Sequence, residues 1–130
     1  MLFCICLVGC TVDQPPLLVE DVVLTRPIPG VAMGAGYFTL RNTSNQSIRI
    51  DRISSPDLAA VAMHESVLED GIARMYELQE IMLLPRSAVV FETGGKHLMM
   101  RYLETTPDIV TFQFFAGPEM LLSVQANTRE

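Results

Sequence analysis

A chain of 130 residues, 49% hydrophobic and 18% charged, is long enough for one domain with a real core and too short to expect two. Its formal net charge of -6 argues against a nucleic-acid binder, which would need a basic stripe to displace counterions from phosphates. No run of Lys and Arg offers a polybasic membrane contact; the cations are eight arginines and one lysine, Lys96.

In chain order, the first feature is "MLFCICLVGC", apolar, uncharged and far shorter than the roughly 20 residues that span a bilayer. All three cysteines, Cys4, Cys6 and Cys10, lie in it, so the body that follows can form no internal disulfide. Its end, Leu7-Val8-Gly9-Cys10, resembles a bacterial lipobox, although no positively charged residue precedes it. That resemblance implies cleavage before Cys10 and lipidation of Cys10 as the new N-terminus, with the apolar stretch acting as a signal and not as part of the fold. Asp13-Gln14-Pro15-Pro16 then reads as a solvated tether. The expected organisation is a lipoprotein-type signal over 1–9, a tether over 10–17 and a folded domain over 18–127. The expected location is periplasm-facing and membrane-anchored.

The body is a series of short β-branched and aromatic segments: "LLVEDVVL", "GYFTLRN", "SIRIDRIS", "AAVAMHESV", "GIARMYEL", "SAVVFET", "KHLMMRYL", "DIVTFQFF" and "MLLSVQA". Turn formers separate them, in "RPIPG", "NTSNQ", "SSPD", "TGGK", "TTPD" and "AGPE". Such spacing predicts an all-β, two-layer antiparallel sandwich of about eight or nine strands. Alternation is clean in "DIVTFQFF", and no segment carries a sustained helical period. The turn "EDG" between "MHESVL" and "IARMYEL" predicts a hairpin, because Asp-Gly readily takes the positive φ values of a tight turn.

Both histidines of the chain fall in the pattern H-x10-M-x21-H-x-M, formed by His64, Met75, His97 and Met99. Residues two apart on a strand share a face, so His97 and Met99 make a two-donor claw. The hairpin folds Met75 back towards His64. Two imidazoles and two thioethers, with neither carboxylate nor thiolate, favour Cu(I) over hard cations. Alternation sends Met63 and Met100 to the opposite face, and Met33, Met82 and Met120 read as packing, with Met82 in "IMLLP" the clearest case. Glu65 and Lys96 read as solvated neighbours of the histidines. Gly94-Gly95 supplies a turn without side chains beside His97, which predicts an accessible site near the surface.

This pattern, with "GYFTLRN", "MHESVLEDGIARMYEL" and "LPRSAVVFETGGKHLMM" around it, resembles the periplasmic copper chaperones of the PCuAC family. The resemblance implies a cupredoxin-like β-sandwich that binds Cu(I) at His64, Met75, His97 and Met99. It also implies delivery towards the CuA subunit of cytochrome oxidase, with that subunit or a thioredoxin-fold chaperone as partner. Some members carry a His- and Met-rich C-terminal tail; this chain ends "SVQANTRE", so a second site there is not expected.

Enzyme readings find little support. There is no G-x-S-x-G, no cysteine in the body and no third histidine for a three-His catalytic metal site. The missing thiolate excludes a blue-copper electron carrier. The rival from another class is a metal-free structural or adhesive β-sandwich lipoprotein, separated from the chaperone by whether the body takes up Cu(I).

Overall fold

The computed structural model describes residues 15–129, so Cys10 and the signal segment lie outside the described residues. Among the described residues there is no helix, and eleven strands follow one another. They are β1 (Leu17–Thr25), β2 (Met33–Asn42), β3 (Ile48–Ile50), β4 (Arg52–Ser54), β5 (Ala60–Glu69) and β6 (Ile72–Glu77). The remainder are β7 (Ile81–Leu83), β8 (Ala88–Phe91), β9 (Lys96–Arg101), β10 (Ile109–Ala116) and β11 (Glu119–Arg129). Among the described residues the first strand starts at Leu17, which is buried.

Strand order is β4-β10-β11-β1-β2-β9-β5-β6, with β8 paired to β2 and a separate ladder of β3 and β7. β2 has two successive partners along its length. Its first half, Met33 to Gly36, pairs with β9, and its second half, Phe38 to Arg41, pairs with β8. β2 alternates strictly, burying Gly34, Gly36, Phe38 and Leu40 on its inner face. Between the layers, Phe38 stacks on Phe91 at 4.6 Å and meets Phe114 edge-on at 6.0 Å, with Leu40, Leu98, Met100, Val110 and Phe112 packed around them. Each such side chain taken fully out of water is worth roughly 1.5–3 kcal/mol, so this interior is what holds the two layers together.

The structure departs from the sequence-based expectation in three places. "SIRIDRIS" is two strands, because at Asp51 the chain leaves β7 for β10. The Asp51 amide donates to the Phe115 carbonyl at 3.0 Å, and its carboxylate accepts from the Gly117 amide at 2.8 Å, pinning the switch. "IMLLP" contributes β7, which adds a strand. Finally, β1 and β11 run parallel where Leu24 and Thr25 meet Thr128 and Arg129, whereas the other pairs are antiparallel.

Candidate metal centre

The site begins with the hairpin of β5 and β6. Glu69 pairs with Ile72 across a two-residue loop in which Asp70 (φ 51°) and Gly71 (φ 79°) both adopt positive φ, the geometry of a type I′ turn. The resulting register places Met75 opposite Ser66 and Glu77 opposite His64. Opposed residues of a ladder point the same way, so Met75 shares a face with Ser66 and His64, one pleat away from the imidazole. β6 is the edge of the sheet and is exposed along its length, Met75 to 50%. Glu69 braces this arm by accepting from the Tyr76 hydroxyl at 3.0 Å and pairing with Arg74 at 3.2 Å. That hydrogen bond raises the Tyr76 pKa, since ionising the phenol would break it and bring two anions together.

The other side of β5 is paired to β9, and this ladder sets His64 directly opposite His97. The two rings are 5.8 Å apart between centroids and inclined at 66°. His97 is only 9% exposed, and its Nδ1 lies 3.1 Å from the Gly95 carbonyl. A carbonyl can only accept, so Nδ1 is the donor, and the tautomer that donates from Nδ1 has its lone pair on Nε2. Gly94 (φ 83°) turns the chain so that this carbonyl is available beneath the ring. The Nδ1 atom of His64 is buried with no hydrogen-bond partner among the described residues. Leaving such an atom unsatisfied costs about 1–3 kcal/mol, and an ion held there would remove that cost.

Met99 follows on the same face. It pairs with Ala62 on one side and Ala35 on the other, and these small neighbours leave room around its thioether. Along the strand direction the histidine pair therefore lies between Met75 and Met99. The inner face of the same strands carries Met63, Leu98 and Met100, all buried in the core, as alternation predicts. Glu65 and Lys96 pair with each other at 3.0 Å at the rim. Among the described residues, no three His, Cys, Asp or Glu side chains come together as a metal-holding group. On this face the register brings the thioethers of Met75 and Met99 within one pleat of the two imidazoles and sets the Glu77 carboxylate opposite His64.

The methionines read as packing need correction. Met82 and Met120 are 47% and 51% exposed, and neither belongs to the core. In β7, Ile81 and Leu83 point inwards and Met82 outwards, a parity that the continuous apolar run conceals. Met33 also lies outside the core. It sits on the outer face of β2, half-buried, in both hollows that adjoin the histidines. One, of about 630 Å³, is lined by Met33, Met99, His97, Ser66 and Gly94 together with Ile28 and Val31 of the preceding loop. The other, of about 350 Å³, is lined by Met33, Met99 and His64. A parity count along "MGAGYF", with Phe38 inward, was the signal that would have found Met33.

The family model described as "Putative lipoprotein LpqE-like" matches residues 17–117. Over 71 residues the chain is 31% identical to the uncharacterized protein RP573 of Rickettsia prowazekii (strain Madrid E), a match covering 54% of this chain and 39% of that protein. The chain thus spans well under two thirds of that relative's length. Among solved structures, the copper-bound PCuAC domain from PmoF2 has a TM-score of 0.68 at 18% identity, covering 87% of this chain and 92% of its own. The apo PCuAC domain from PmoF1 also has a TM-score of 0.68, at 12% identity over 90% of this chain and 96% of its own. Apo-DR1885 from Deinococcus radiodurans, a solution structure, has a TM-score of 0.65 at 19% identity over 100% of this chain and 89% of its own. These likenesses show a shared fold, the β-sandwich of PCuAC domains.

Proposed function

The chain belongs to the LpqE-like family, and from that membership and the chemistry of its outer face we propose that it is a chaperone that binds Cu(I) and hands it on outside the cytoplasm. The observation that carries this reading is the cross-strand pair of His64 and His97, with one ring oriented through Gly95, the other holding an unmet buried nitrogen, and thioethers on either side. Imidazole and thioether are neutral donors of borderline to soft character, suited to a monovalent d10 ion and poor for Mg(II) or Ca(II). The copper-bound state of the PmoF2 domain, which shares the fold, supports copper as cargo.

Each residue has a part. The backbone of Gly95 holds the His97 ring so that Nε2 faces the cargo, as an outer-shell carbonyl does for a metal-bound histidine. Met75, on the exposed edge strand, is the donor an acceptor reaches first; His97, nearly buried, is far less accessible. Ligands differing in access let copper leave by stepwise exchange. The protein's work is holding and transfer and not catalysis. The recipient would be the CuA subunit of cytochrome oxidase or a thioredoxin-fold chaperone, with the protein tethered to the membrane through a lipidated Cys10.

The test is Cu(I) competition against a chromophoric chelator. Wild type should retain one equivalent, and a His64→Ala, His97→Ala double variant should lose it while staying folded. Equal retention by both would refute the site. Membrane fractionation addresses the tether: Cys10→Ser should leave the membrane fraction or remain unprocessed, and a wild type found wholly in the soluble fraction would remove the anchor from the proposal.

A further inference from the structure

Resting on that copper reading, we propose that Met33 is an additional thioether donor that shares Cu(I) with Met99 during transfer. The outer face of the sheet carries its soft donors in a diagonal series. Met75 lies opposite Ser66 on the β5–β6 ladder, and one pleat along are His64 and His97. Met99, opposite Ala35 and Ala62, is one pleat further, and beyond it Met33 lies opposite Arg101. Met33 and Met99 are thus diagonal cross-strand neighbours, a separation of about 7–8 Å between backbones that long side chains bridge.

Register also sets what Met33 does not do. Arg101 is four residues beyond His97, about 13 Å along the strand, more than a methionine side chain reaches. Met33 therefore cannot complete a shell with both imidazoles. It can share an ion only with Met99, whose row lies halfway. Both hollows beside the histidines are lined by Met33 and Met99 together, one with His97 and the other with His64. The loop ahead of β2 ends this path with Ile28 and Val31, exposed to 71% and 51%. Arg101 brings a positive charge to the same row of the second hollow. That charge opposes a resident cation, which suits a station occupied only in passing.

The step is ligand exchange without redox: a Cu–S bond to Met33 forms as the bonds to His64, His97 and Met75 are given up, Met99 stays bound throughout, and copper remains Cu(I). It gives the cargo a second position, at the opposite end of the donor series from Met75.

Anaerobic Cu(I) titration of the full chain labelled with 13C at the methionine methyls tests this, with the Met33 resonance assigned by its loss in Met33→Leu. Up to one equivalent, the methyls of Met75, Met99 and Met33 should all shift, Met33 with exchange broadening. Met33→Leu should keep the wild-type stoichiometry and melting temperature, yet release Cu(I) to excess chelator several-fold more slowly. Shifts at Met75 and Met99 with Met33 unmoved, or wild-type release from Met33→Leu, would overturn this inference and leave the copper site standing. No shift at any of the three would overturn the copper reading and this inference with it.

Discussion

The two faces of the β5–β9 pair are built from one short stretch of sequence and share almost no chemistry. Inward, Met63, Leu98 and Met100 are exposed to 4%, 0% and 0% and close the core against Phe38 and its neighbours. Outward, His64, His97 and Met99 line the hollows of a candidate copper site. Met99 and Met100 are adjacent and identical in type, yet one is packing and the other is placed as a donor. What separates them is parity on a pleated strand, and parity follows from which side the rest of the fold covers. The inner face is confined by a second layer and has no space to exchange a ligand. The outer face has small residues and a glycine turn around its candidate donors.

The strongest way to break the contrast is Leu98→Ala. Truncating a fully buried side chain at the junction of β2, β5 and β9 should cost about 2–5 kcal/mol, read as a lower midpoint in chemical denaturation. A loss as small as that of an exposed residue would mean that the inner face is not the core.

Gly34→Ala examines how tightly β2 underlies the site. A Cβ there would come within 2.6 Å of the Thr25 carbonyl oxygen and of the Tyr102 ring. The Tyr102 hydroxyl donates to that same carbonyl at 2.8 Å, so the ring cannot simply swing aside. Overpacking of this kind should cost about 1–3 kcal/mol, seen as a lower melting temperature. An unchanged melting temperature would show that the end of β2 next to Met33 is loosely held.

The smallest effect on stability and the sharpest on function come from Met99→Leu beside Met100→Leu. Both keep apolar volume, and each should change stability by less than about 1.5 kcal/mol. Only Met99→Leu should weaken Cu(I) retention in the chelator competition. Equal retention by the two variants, or melting of the domain by Met99→Leu alone, would make the outer face an extension of the packing.

Much of this was legible before any coordinates. The two-residue turn at Asp70-Gly71 follows from the two residues' tolerance of positive φ, and it sets Met75 within one pleat of His64 without reference to the rest of the chain. Alternation along "KHLMMR" put His97 and Met99 on one face and Met100 on the other, because period two is a property of the extended backbone. The soft character of the donor set is likewise a matter of composition.

Other features required long-range pairing. That His64 stands opposite His97 depends on the register of β5 against β9, two segments separated by a hairpin and two further strands. Local propensity contains no information on that register. The split of "SIRIDRIS" depends on the Asp51 carboxylate finding the Gly117 amide. The outward turn of Met82 and the placement of Met33 beside Met99 depend on which face another layer covers. The sequence by itself determined the strands, the turn and the kind of ligand, because these rest on backbone preference and side-chain chemistry. Only the tertiary structure decided which methionines share a surface, because that is settled by cross-strand register and by burial against residues far away in the chain.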